Sequence, residues 1–128
     1  MVAHAVIDTS LLVAAEVPEL EGDLAVSAAS LAELHFGALV TNNADIRADR
    51  LRRLALIEHL FTPLAVDASV ARSYGHLSSA VARGGRNPRT RVLDLLVAAT
   101  AHANGAALYT RNADDLRGIE HLVEIHTI

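Results

Sequence analysis

The sequence predicts an α/β fold, a three-layer α/β/α sandwich in which helices cover both faces of a central, mainly parallel sheet. Three observations predict it. Short apolar runs, often β-branched, alternate with helical patterns from one end of the chain to the other, as in consecutive strand–helix–strand units. At 128 residues and 52% hydrophobic side chains, the chain is long and apolar enough to bury one proper core. No internal repeat, linker or low-complexity segment interrupts it, so residues 1–128 read as a single domain.

Ala5 to Ile7 read as a buried strand, with Thr9 or Ser10 capping the helix that follows. That helix continues through Leu11 to Ala15 and breaks near Val17-Pro18, and Pro18 to Asp23 form an acidic loop. Leu24 to Val26 are a second strand. Ser27 to Ser30 open a helix whose apolar stripe is Leu31, Leu34, Ala38 and Leu39, and Thr41 to Asn43 end it. Ala44 to Leu60 is a long amphipathic helix, apolar at Leu51, Leu54, Ala55 and Ile57. Its other face carries Arg47, Arg50, Arg52 and Arg53, read as solvated. Pro63 to Val66 form a third strand, Asp67 caps a helix over Ala68 to Arg83, and Gly84-Gly85 stop it. Another helix runs through Thr90 to Asn104 and ends at Gly105. Ala106 to Tyr109 are the fourth strand, Asn112 to Leu116 a helical turn, and Leu122 to His126 a last strand.

Composition removes several kinds of function. A net charge of −4 argues against a protein that holds nucleic acid by bulk attraction. All eleven basic residues are Arg, so chemistry that needs a lysine is unavailable. Aromatic content of 3% leaves no platform for stacking bases. Without cysteine there are no disulfides and no thiolate metal sites. The seven histidines (4, 35, 59, 76, 102, 121 and 126) are scattered and lack His-Glu-x-x-His spacing. No apolar run approaches the length of a membrane span and no signal-peptide pattern opens the chain, so the expected location is cytoplasmic.

Four carboxylates follow strand ends or open helices: Asp8, Glu33, Asp94 and Asp115. Each has a structural reading. Asp8 caps a helix, Glu33 completes a Ser30-x-x-Glu33 capping box, Asp94 answers a helix dipole, and Asp115 reciprocates an Asn112 cap. Together they carry a second reading. In a doubly wound sheet, residues just after parallel strands emerge at one edge, where ligands bind. Asp8 and Asp115 follow strands, while Glu33 and Asp94 lie about one turn into helices and could reach the same cleft. Gathered carboxylates repel unless a cation joins them, and an oxygen-only donor set suits Mg²⁺ or Mn²⁺ rather than zinc.

The wording of these segments resembles the PIN-domain family. Val6-Ile7-Asp8-Thr9-Ser10 resembles its opening motif, and Leu31-Ala32-Glu33-Leu34 with Gly37 its second. Arg91 to Ala99, around Asp94, is similar to the third, and Thr110-Arg111-Asn112-Ala113-Asp114-Asp115 to the fourth, Thr-x-Asn-x-x-Asp. The likeness spans Val6 to Leu116 in family order, and size and wording look most like the VapC toxins of toxin–antitoxin pairs. Two positions depart from the pattern: Val92 stands where many members carry a further acid, and Leu116 where a Phe is usual. The resemblance implies a Mg²⁺- or Mn²⁺-dependent ribonuclease, commonly a homodimer, inhibited by a cognate VapB-type antitoxin. It implies catalytic and metal-binding roles for Asp8, Glu33, Asp94 and Asp115, acting on tRNA, rRNA or mRNA and leaving a 5′-phosphate.

Around those acids, Thr9, Ser10, Thr110 and Asn112 are candidates to orient the carboxylates or a phosphate oxygen. Arg83, Arg86, Arg89 and Arg91 lie within nine residues and are candidates to guide RNA, since guanidinium forks suit phosphate. Arg91 is alternatively an ion-pair partner of a nearby acid. Leu11, Leu12 and Val13 are either core or part of an antitoxin groove. A receiver-like or phosphatase-like domain would also gather acids at strand ends but typically uses a lysine. A ribonuclease-H-type fold would begin with an antiparallel meander. The competing reading from another class is a PIN domain that binds RNA or protein without cutting, which would have little use for four clustered acids.

Overall fold

Alternation of residues along the first strand organises two cores. The computed structural model describes residues 5–13, 20 and 22–128. His4, the predicted helix continuation through Ala14-Ala15, its break at Val17-Pro18, and Pro18, Glu19 and Glu21 of the acidic loop lie outside the described residues. Strand β1 (Ala5–Ile7) is fully buried. Its Val6 packs with Leu77, Leu95, Leu108 and Ile119, whereas neighbouring Ile7 packs with Leu11, Leu12, Val26 and Ile57. Successive strand side chains point to opposite faces, so one buried strand supplies both sides of the sheet.

Among the described residues, β1 is followed by α1 (Thr9–Leu12), β2 (Leu24–Ser27), α2 (Ala28–Leu39), α3 (Ala44–Leu60) and β3 (Pro63–Leu64). Then come α4 (Ala68–Arg83), a 3₁₀ turn (Pro88–Arg91), α5 (Val92–Ala103), β4 (Ala107–Thr110), a second 3₁₀ turn (Ala113–Leu116) and β5 (Ile125–Thr127). The strands form one sheet in the order β3-β2-β1-β4-β5, every pair parallel. Connections run outward in one direction from β1 through β2 to β3, and in the other from β4 to β5. The order therefore reverses between β1 and β4, the switch point where α/β sheets open a crevice at their carboxyl ends.

Helix α4 has the expected limits: the Asp67 carboxylate accepts from Val70 N–H at 3.0 Å, and Gly84 takes the C-cap position. Helix α3 also has its expected limits, capped by Asn43, but its core face is narrower than predicted. Leu54 and Ile57 are buried, whereas Leu51 and Ala55 are exposed, as is Leu39 of α2. Nor is the arginine face of α3 merely solvated. Arg50 donates to Gly37 O, Arg47 to Thr41 O and Arg53 to Leu12 O, each at 2.7 Å. Gly37 lies in the last turn of α2, where carbonyls lack partners within the helix, so α3 caps its neighbour.

Other boundaries shift. The predicted helix over Thr90 to Asn104 is divided into the 3₁₀ turn and α5, and β3 ends at Leu64 rather than Val66. The last strand is Ile125–Thr127; Val123 is buried in the approach to it, and Leu122 is exposed. Leu116, where the family usually has Phe, is 2% exposed within the core formed with α4 and α5.

Candidate active site

Asp8 sits at the switch point. The ladder pairs Ile7 with Tyr109, and Asp8 N–H donates to Tyr109 O at 2.8 Å, which brings Asp8 beside Thr110. The residue is only 6% exposed. It, rather than Thr9 or Ser10, takes the N-cap position of α1, yet its side chain makes no capping hydrogen bond. Instead Asp8 Oδ2 accepts from Thr110 Oγ1 at 2.7 Å and from Ser10 Oγ at 2.8 Å. Each hydroxyl in turn accepts a backbone N–H from beyond β4: Arg111 to Ser10 Oγ at 3.1 Å, and Asn112 to Thr110 Oγ1 at 3.0 Å. Two hydroxyls thus hold one oxygen of a nearly buried carboxylate and tie it to the segment that carries Asp115. Such charge-assisted bonds offset the cost of burying the ion.

Glu33 is not part of a capping box. The cap of α2 is Ser27, whose Oγ accepts from Ala29 N–H at 3.1 Å, so Ser30 lies inside the helix and is fully buried. The Thr9 hydroxyl donates to Glu33 Oε1 at 3.0 Å and lies 2.8 Å from Ser30 Oγ. Asp94 occupies the first turn of α5, as predicted. Asp115 does not reciprocate a cap, because the Asn112 side chain caps nothing; its carboxylate pairs with the Arg91 guanidinium at 3.1 Å.

Burial raises the pKa of Glu33 above the ordinary carboxylate value; the Thr9 hydrogen bond opposes this, and the charges of Asp94 and Asp8 add to it. Burial likewise raises Asp94, reinforced by Asp8 and then Asp115, with Arg91 opposing. Glu33 therefore feels the charges of Asp94 and Asp8, and Asp94 those of Asp8 and Asp115, although these acids are far apart in sequence. Among the described residues, no three acidic or imidazole side chains already form a metal cage. The donor set still fits a hard divalent cation. It is all oxygen and short of positive charge, and Mg²⁺ is commonly held by one or two carboxylates while keeping several waters.

Beside the acids lies a cleft of about 300 Å³ lined by Glu33, Thr90, Arg91, Val92, Leu93 and Asp94. Val92, at the position where many family members carry an acid, is 40% exposed there. Of the predicted RNA-guiding arginines, Arg83, Arg86 and Arg89 are exposed and Arg91 is half-buried in its ion pair. Leu11 and Leu12 belong to the core, whereas Val13 lines a groove of about 360 Å³ together with Glu33, Leu34, Arg50 and Leu54. Among the described residues no histidine joins the acids: His35 pairs with Glu58, His102 with Ser73 and His126 with Glu124. Sequence reasoning passed over Arg117, whose isolated position in a turn gives no motif; it stands with Arg86 and Arg91 around a smaller pocket.

Comparison with known proteins bears on this arrangement. The PIN domain family model matches residues 2–122. The chain is 32% identical to Ribonuclease VapC5 of Mycobacterium tuberculosis, covering 98% of this chain and 95% of that protein. It is 30% identical to Ribonuclease VapC4 of the same organism, over 88% and 89% of the two chains. Its fold superposes with a TM-score of 0.82 on a structure of VapBC-5 from Mycobacterium tuberculosis, a member of the VapBC family of toxin–antitoxin systems. That match has 32% identity and covers 98% of both chains.

Proposed function

The chain belongs to the PIN-domain family, and from that premise we propose that it is a metal-dependent endoribonuclease, the toxin of a toxin–antitoxin pair held in check by a VapB-type antitoxin. What supports the reading is that Asp8 lies at the switch point of a parallel sheet, that its charge acts on Glu33 and Asp94, and that Asp115 acts on Asp94. Near full-length similarity to ribonucleases supports it independently.

In this reading Asp8, Asp94 and Asp115 hold Mg²⁺ or Mn²⁺, with Glu33 as a further ligand or the group that orients water. A bound ion would supply a water of lowered pKa and offset charge on the scissile phosphate. The chain's own residues prepare the site. Thr110 and Ser10 fix one oxygen of Asp8, leaving the other for the ion, and Thr9 fixes the Glu33 carboxylate. The raised pKa of Glu33 suits a group that exchanges a proton with water. Asn112 helps through its backbone, by donating to Thr110. Arg83, Arg86 and Arg89 attract RNA locally against an acidic average charge, and Arg91 steadies Asp115. Together the acids and hydroxyls would hydrolyse an internal phosphodiester of tRNA, rRNA or mRNA.

The antitoxin's seat is the groove that reaches from Val13 to Glu33, an apolar channel ending at a catalytic acid. A homodimer acting in the cytoplasm is the accompanying expectation; among the described residues no helix is long and apolar enough to cross a membrane. Incubating antitoxin-free protein with total cellular RNA tests the proposal. Discrete fragments with 5′-phosphate ends should appear with Mg²⁺ or Mn²⁺ and vanish with EDTA or added antitoxin. RNA that is bound but never cut, with either metal, would replace this reading by the binding-module one.

A further inference from the structure

The small pocket behind the acids has its own chemistry. Arg86, Asn87, Thr90, Arg91, Asp115 and Arg117 surround a space of about 70 Å³, room for a phosphate-sized group or a few waters but not for a nucleoside. It meets the carboxylate cleft across Thr90 and Arg91, which line both. Three guanidiniums face two carboxylates. Arg91 pairs with Asp115 at 3.1 Å and Arg117 with the largely exposed Asp114 at 3.2 Å, where water screens the pair. Arg86 donates to the Asp114 carbonyl at 3.2 Å, which spends one of its five N–H groups and none of its charge. Asn87 Oδ1 accepts from Arg89 N–H at 3.0 Å, which orients the side chain and leaves its amide NH₂ as a donor. Cationic forks, a spare donor and no unpaired acid suit one tetrahedral anion.

We infer that this pocket is a phosphate subsite, seating a backbone phosphate of the RNA next to the one that is cut, with Arg86 and Arg117 as its principal ligands. The inference rests on the ribonuclease reading for the source of the phosphate and on the pocket alone for its chemistry. Continuity of the two clefts selects the RNA backbone: Thr90 and Arg91 border both the cleft beside Asp94 and this pocket, so one strand can run from one into the other. Arg91 then links the two events, since the guanidinium that borders the subsite also holds a candidate metal ligand.

The test uses full-length protein in EDTA, so that binding is read without cleavage. Arg86→Gln and Arg117→Gln are compared with Arg52→Gln, a surface arginine on α3 paired with Asp49 that removes the same charge elsewhere. Affinity for a single-stranded RNA oligonucleotide is measured against salt. Each pocket variant should weaken binding and make the plot of log K against log salt shallower by about 0.7, one lost phosphate contact, while Arg52→Gln leaves the slope unchanged. In a separate arm, inorganic phosphate should shift the amide resonances of Arg86, Asn87 and Arg117 in the wild type and not in Arg117→Gln. If RNA is bound and cut while both pocket variants behave like Arg52→Gln, the subsite is wrong and the ribonuclease reading stands. If phosphate fills the pocket but the protein neither binds nor cuts RNA, the anion site stands and the ribonuclease reading falls. A loss confined to antitoxin affinity would overturn the inference in favour of a protein-facing patch.

Discussion

At the scale of single residues, the site is built from hydroxyls as much as from acids. Thr110 gives its proton to Asp8, takes one from Asn112 N–H and lies 3.3 Å from Ser10 Oγ, so Thr110→Val removes these hydroxyl contacts at nearly constant shape. It should cost about 1–3 kcal/mol in urea denaturation and weaken Mg²⁺ binding about 10–100-fold by titration calorimetry. Asp94 gives a pH-dependent counterpart. Its folded pKa lies above the unfolded one, so the folded state binds the proton more readily. Stability of the metal-free protein should therefore fall as pH rises from the ordinary carboxylate value through the raised one, and the deficit is complete above it. Asp94→Asn should melt no lower than the wild type at neutral pH in EDTA, with any advantage shrinking in acid; a lower melting temperature at neutral pH would contradict this. Asp8 was legible in sequence because a strand's end is visible there. The role of Glu33 was blurred because Ser30-x-x-Glu33 reads equally as a cap or as two neighbours on one helix face. Ser27 capping the helix settles it, and both residues meet Thr9.

At the scale of elements, capping chemistry explains what sequence could and could not show. Asp67 and Gly84 bracket α4 where the pattern put them, because a cap needs only its own backbone. Asp67→Ala should cost about 1 kcal/mol in a denaturant titration and leave activity per folded molecule unchanged, since its carboxylate is engaged in capping α4. Edge strands are different. Among the described residues β3 pairs only with β2, and an extended segment such as Pro63 to Val66 looks the same whether its end is paired or free. The arginine face of α3 was read as solvent-facing because charge patterning sees neighbours on the same helix, not carbonyls on another.

At the scale of the molecule, alternation of strands and helices revealed a parallel sheet, whereas the order β3-β2-β1-β4-β5 depends on long-range pairing that no local pattern encodes. That order places Asp8 and the segment carrying Asp115 on either side of the reversal. A site made this way draws its acids from distant parts of the chain, so a cation should stabilise the whole fold. At 100 times its Kd, Mg²⁺ should add about 2.7 kcal/mol to unfolding of the wild type and much less to Asp8→Asn. The central claim is that four acids form one catalytic centre, and the most direct measurement is single-turnover RNA cleavage by Asp8→Asn, Glu33→Gln, Asp94→Asn and Asp115→Asn at saturating Mg²⁺, each shown folded by circular dichroism. Residues acting as a unit are strongly non-additive, so each single variant should lose nearly as much rate as the combination of all four. A folded variant that cuts RNA at the wild-type rate would remove its acid from the centre and contradict the account.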